Sequence, residues 1–187
     1  FRYRFKYETS LVGEAIGNEY DEMRGCNDYN LGLGGKIPFS KFLPFVNSAH
    51  YWVSGQYTDH AAYRVFEFDE IVYTGENEDD MDNIVTPWDN EAGFRSFGFD
   101  RTWDVFGKLS FNLLENNKLK FNYSFWQVDA HRKGFGTRFL YWDLGQQEIF
   151  RDTYRNTLEI NHQLSSKTFY TLRVSQFVQQ QFQGVLF

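Results

Sequence analysis

Between Trp103 and Val128 the chain alternates for longer than a soluble sheet needs. Trp103, Val105, Gly107, Leu109, Phe111 and Leu113 share one parity against Asp104, Lys108, Ser110 and Asn112. After Asn116-Asn117-Lys118 the alternation resumes, with Leu119, Phe121, Tyr123 and Phe125 against Lys120, Asn122 and Ser124. Strands point successive side chains to opposite faces, so strand, short polar turn, strand is a hairpin with an aromatic face. Soluble strands usually run about five or six residues. The arms here reach about ten, near the 9–11 residues a tilted strand uses to cross a bilayer.

The same pattern recurs along the chain. Phe1, Tyr3, Phe5 and Tyr7 oppose Arg2, Arg4, Lys6 and Glu8, predicting a first strand over 1–9. Tyr29, Leu31 and Leu33 open a second, ending near Pro38, whose glycines at 32, 34 and 35 mark a bend, a bulge or a close backbone approach. Tyr51, Val53 and Tyr57 define a third over 51–59, with a possible extension to Phe68. The hairpin supplies the fourth and fifth. Tyr154, Leu158, Ile160 and Leu164 set the sixth, and Tyr170, Leu172 and Val174 the seventh, over 168–183. Between them lie a Gly- and acid-rich connection (11–28), a modest one (39–50), an irregular stretch (69–101), and a loop (130–152), besides the two tight turns. Long and short connections therefore alternate. Outer-membrane barrels sort their loops this way, and an irregular stretch as long as 69–101 fits poorly inside a compact soluble domain.

Composition agrees with one-faced strands. Aromatics make up 20%, with 21 Phe and 12 Tyr, yet mean hydropathy is −0.56. No run approaches the roughly 18 apolar residues of a membrane helix. The net charge of −6 leaves no basic stripe for nucleic acid. Cys26 is the single cysteine, so neither an intrachain disulfide nor a cysteine-based zinc site is expected. The first residues already alternate, without a signal-like start, and the chain stops in Val185-Leu186-Phe187 without a tail. Both ends read as cut from a longer protein, and an odd strand count points the same way.

Three stretches carry a family resemblance. Asn30-Leu-Gly-Leu-Gly-Gly-Lys-Ile-Pro38 resembles the glycine-rich strand that follows the plug in TonB-dependent outer-membrane receptors, with Lys36 where that family has proline. Val53-Ser-Gly-Gln-Tyr-Thr-Asp59 is similar to their next strand. Ser165-Ser-Lys-Thr-Phe-Tyr-Thr-Leu-Arg173 looks like a hairpin of the subgroup that carries a carboxypeptidase-regulatory-like N-terminal domain. The resemblance implies an all-β, antiparallel transmembrane barrel: residues 1–187 as about seven strands of a partial barrel domain of about twenty-two strands, with the plug and remaining strands outside this chain. It further implies uptake of an unidentified ligand across the outer membrane of a Gram-negative-type bacterium. The implied partners are outer-membrane lipid, the plug and remaining strands, a TonB-type energy-coupling protein, and other outer-membrane proteins. Two other readings stand beside it: a barrel of the same ancestry serving as a structural or assembly subunit, and a soluble β-sandwich that binds carbohydrate.

Candidate sites are few. Trp88, Phe97, Tyr141 and Trp142 lie in the long loops, either as an interfacial aromatic girdle and loop packing or as a stacking platform for a ligand such as a glycan. The acidic run Glu76–Asn83 makes Glu78, Asp80 and Asp82 weak calcium candidates, but it lacks the spacing and glycine of a calcium loop and reads as a solvated outer loop. Gly32-Leu-Gly-Gly-Lys36 has the wrong spacing for a phosphate loop, with Ile37 in place of the required Ser or Thr. His50, His60, His131 and His162 show no ligand spacing along the chain, and His162 is expected at the interface near a turn. Neither a nucleophile elbow nor a Cys–His pairing is suggested. No enzymatic activity, cofactor or resident metal is expected.

Overall fold

The computed structural model describes residues 1–38, 45–68, 93–113, 118–136, 138 and 145–185. Its elements are β1 (Arg2–Thr9), α1 (Leu11–Ala15), α2 (Glu19–Arg24), β2 (Cys26–Lys36), β3 (Val46–His60), β4 (Arg64–Phe68), β5 (Gly93–Phe97), β6 (Phe99–Leu113), β7 (Leu119–Lys133), β8 (Glu148–Gln163) and β9 (Phe169–Gly184). Seven strands form one sheet in the order β1-β2-β3-β6-β7-β8-β9, and β4 pairs with β5 in a small second sheet. Every pairing is antiparallel. The large sheet is therefore a meander. Connections 10–25, 61–98 and 134–147 leave from one end, and 37–45, 114–118 and 164–168 from the other.

Several strands run longer than their alternation suggests. β6, β7, β8 and β9 have 15, 15, 16 and 16 residues. β7 continues through Ala130 to Lys133, and β8 begins at Glu148, so much of the predicted loop 130–152 is strand. β3 ends at His60, and Arg64–Phe68 belongs to the other sheet, so the third strand does not continue to Phe68. Residues 93–101, read as irregular, hold β5 and the start of β6.

The connection 11–28 is also more ordered than expected. The Asn18 side chain accepts from the Asp21 amide and caps α2. Acidic residues fill its first turn, Arg24 its last, and Gly25 closes it at φ 49°.

Register aligns the parities of the seven strands. Tyr123 of β7 faces Leu158 of β8, which faces Val174 of β9; Phe121 faces Ile160, which faces Leu172. On the opposite face, Asn122 faces Glu159, which faces Arg173. Toward the short-turn end one face of the sheet is apolar from β1 to β9 and the other is polar.

Among the described residues no second sheet covers the apolar face. Among the described residues the buried apolar side chains are Ala49, Ala62, Phe97, Val128 and Ala130. Leu31 is 60% exposed, Leu172 56% and Val174 61%, all on the apolar parity. The sheet is not closed: β1 pairs only with β2, and β9 only with β8.

Two glycine contacts account for close approaches within the sheet. A Cβ on Gly34 would fall 2.5 Å from the indole of Trp52, directly opposite it, and one on Gly32 would fall 2.8 Å from the same ring. These glycines are close-approach positions in a regular ladder. On the apolar face, Phe125 lies across Gly107 in the same way.

Candidate functional site

The apolar face is bounded at the long-loop end by a row of rings. Tyr7, Tyr29, Tyr57 and Trp103 occupy one register row on β1, β2, β3 and β6. Their centroids are 4.7 Å (Tyr7–Tyr29), 6.3 Å (Tyr29–Tyr57) and 4.2 Å (Tyr57–Trp103) apart. The Tyr7 hydroxyl donates to Asn27 Oδ1 at 2.9 Å, so the row is apolar on one side and hydrogen-bonded on the other. Beyond it the same face carries Asp59 and Arg101, paired at 3.3 Å. At the short-turn end, His162 Nδ1 lies 3.1 Å from the Tyr170 hydroxyl on the same face.

From Trp103 to Leu113 the strand runs about 34 Å at 3.4 Å per residue. At the tilt of about 35–45° usual for barrel strands, that projects to about 25 Å. On β7 the apolar stretch ends two rows earlier, at Phe125, because Gln127 and Asp129 follow on the same parity, opposite Val105 and Trp103.

The opposite face is polar and, in an acidic chain, richer in cations. Arg2, Arg4, Lys6, Lys36, Lys108, Lys120, Arg132, Arg151, Arg155 and Arg173 share its parity with Glu8, Asp28, Asp100, Asp104 and Glu159. Its polar groups interlock. The Arg173 guanidinium pairs with Glu159, with Nε donating to Oε2 at 2.7 Å, and Glu159 also accepts from Asn161 at 2.7 Å. Lys108, Asn122, Thr157 and Ser175 line a depression of about 270 Å³ around this pair. Trp126 Nε1 donates to Asp104 Oδ1 at 3.0 Å, and the Arg155 guanidinium stacks 5.3 Å above the Trp126 ring. Arg132 donates to Asp100 at 3.0 Å and to Thr102. A second depression, of about 310 Å³, opens among Trp126, Arg132, Arg151 and Phe177.

Of the predicted site residues, Trp88, Tyr141, Trp142, Glu78, Asp80 and Asp82 lie outside the described residues. Phe97 is described and is only 1% exposed. Its ring sits 5.9 Å from Phe66 and 5.2 Å from Phe135, with the Arg95 guanidinium 5.1 Å away. Protein rings and a guanidinium thus surround it, the packing alternative of the two given for it, at the end of the β4–β5 hairpin. His162 lies near the turn end of β8, the position along the strand expected for it.

One cluster was not legible along the chain. Cys26 stands directly opposite His60 in the β2–β3 ladder, and Asp28 follows on the same face. One ligand atom from each lies within 4.8 Å of the other two, and His60 Nε2 is 3.1 Å from Asp28 Oδ2. The cluster sits beyond the aromatic row, where α1 and α2 return to the sheet. Burial and the neighbouring Asp28 carboxylate hold the Cys26 thiol above its ordinary pKa. The sequence offered each residue but not their meeting, which depends on a register that pairs positions 26 and 60.

Compared with family models, curated proteins and solved structures, the chain matches none.

Proposed function

We propose that this chain is a segment of an outer-membrane β-barrel of the TonB-dependent receptor type, with its apolar face in lipid and its polar face toward a lumen. The carrying observation is the uncovered apolar face of a seven-stranded meander, edged by Tyr7, Tyr29, Tyr57 and Trp103. In water such a face is a liability; in a bilayer it is the outward surface of a barrel. The aromatic row matches the girdle at a membrane interface, and its height above Leu113 matches the apolar band. The free edges of β1 and β9 then pair with further strands, since unpaired backbone groups cost several kcal/mol each in hydrocarbon.

The biochemical role is uptake: a ligand binds outside, a plug occupies the lumen, and a TonB-type protein supplies energy. The cationic excess on the polar face favours an anionic solute by electrostatic focusing.

Fractionation with transport genetics tests this. The chain is expected in the alkali-washed outer-membrane fraction, and its deletion is expected to impair growth on one nutrient class. Deleting the energy-coupling protein should reproduce that defect. Recovery in the soluble fraction would contradict the membrane assignment; outer-membrane recovery with no nutrient defect would contradict uptake alone.

A further inference from the structure

We propose that Cys26, Asp28 and His60 form a zinc-type divalent-metal site at the long-loop end of the polar face. This goes beyond the uptake assignment and does not rest on it. The three side chains project from adjacent strands whose register is fixed by a continuous ladder, and their ligand atoms already converge within 4.8 Å. Zinc–ligand bonds are about 2.0–2.3 Å long, so ligand atoms around one ion stand about 3–4 Å apart. Small side-chain rotations are enough to close that distance.

The backbone around the cluster is pinned. Ser10 N donates to Cys26 O at 2.9 Å, and Cys26 N donates to Ser10 Oγ at 2.9 Å. Ala61 N donates to Gly25 O at 3.1 Å, tying the end of β3 to the start of β2. Ligands on a braced pair of strands lose little freedom on binding an ion.

The donor set selects the ion. A thiolate, an imidazole and a carboxylate suit zinc and related late transition metals, whereas calcium and magnesium take oxygen ligands. Two anionic ligands balance a divalent charge. Asp28 adds a second sign: its Oδ1 is buried without a hydrogen-bond partner. A buried carboxylate oxygen without a donor is costly, and a cation beside it removes that cost. Asp100, opposite His60 on β6, is held by Arg132 and Thr102. Glu8, opposite Asp28 on β1, is paired with Lys6 at 2.6 Å, so the proposed fourth position falls to water or to a donor atom of a solute, the arrangement of zinc sites with three protein ligands.

The test titrates Co²⁺ into the full chain purified in detergent, with and without Zn²⁺ as competitor. The expected result is a thiolate-to-cobalt charge-transfer band that saturates at one equivalent and is displaced by Zn²⁺. Cys26→Ser should abolish the band, while His60→Gln and Asp28→Asn should each weaken binding at least about tenfold. A readout without substitution guards against misfolded variants: Zn²⁺ should slow alkylation of Cys26 in the unaltered chain. Absence of both the band and the protection would overturn the proposal, leaving a His60–Asp28 hydrogen bond. A band that survives Cys26→Ser, or unchanged affinity in either other variant, would overturn the three-ligand assignment.

Discussion

Asn156 of β8 accepts a hydrogen bond of 2.9 Å from the Tyr123 hydroxyl of β7, on the face that also carries Phe121, Phe125, Leu158 and Ile160. A polar amide on an apolar face needs such a partner, and more so in lipid than in water. Tyr123→Phe removes the donor and leaves the acceptor, so it should destabilise the folded protein by about 1–3 kcal/mol. Adding Asn156→Leu should recover most of that loss, because the orphaned group is gone. Denaturant unfolding in detergent or liposomes measures both. Equal loss in the single and double variants would show that Asn156 is satisfied by another group.

Leu172 and Arg173 are neighbours in sequence on opposite faces. Leu172 faces Ile160 across the ladder, and Arg173 faces Glu159. Leu172 stands one register row above His162 and Tyr170 at the turn end, so Leu172→Arg should cost about 1–3 kcal/mol, between the midplane and interface ranges for a cation on a lipid-facing strand. Arg173→Gln should cost less than about 1 kcal/mol, because its ion pair is half exposed and Glu159 keeps its bond from Asn161. Unfolding free energies of the two variants give the comparison, and a reversed order would contradict the assignment of faces.

The parts legible in the sequence are those where one environment acts on one face along the whole strand. From Trp103 to Phe125 the alternation showed the hairpin and the two faces of its arms, because every second side chain meets the same surroundings. Beyond Phe125 the rule inverts. Gln127, Asp129 and His131 take the formerly apolar parity, while Val128 and Ala130 on the other are buried. The ladder continues there, but the pattern that reveals a strand does not, so the end of β7 and the start of β8 read as loop. The β4–β5 hairpin was hidden differently: Gly93–Phe97 is short, and its partner Arg64–Phe68 lies across the acidic run. The α2 signals, Asn18 and Gly25, were present in the sequence and passed over in a stretch dominated by glycine and acids. The Cys26–Asp28–His60 cluster was beyond reach without the register.

The sorted connections predict sidedness. Glu22 of α2 is exposed at the long-loop end, and Ser166 lies in the turn at the other. In a Cys26→Ala background, an impermeant maleimide added to intact cells should label Glu22→Cys and spare Ser166→Cys. Both positions should react after lysis. Equal labelling on intact cells would place both ends on one side of the membrane and contradict a spanning sheet.

The most direct measurement is a spin-label scan of β8 in the reconstituted protein, one residue at a time over Thr157, Leu158, Ile160 and Asn161. Relaxation by oxygen dissolved in lipid should peak at Leu158 and Ile160. Relaxation by a water-soluble nickel chelate should peak at Thr157 and Asn161, giving two period-two patterns out of phase. If Leu158 and Ile160 respond instead to the nickel chelate, or are shielded from both reagents, the apolar face does not lie in lipid.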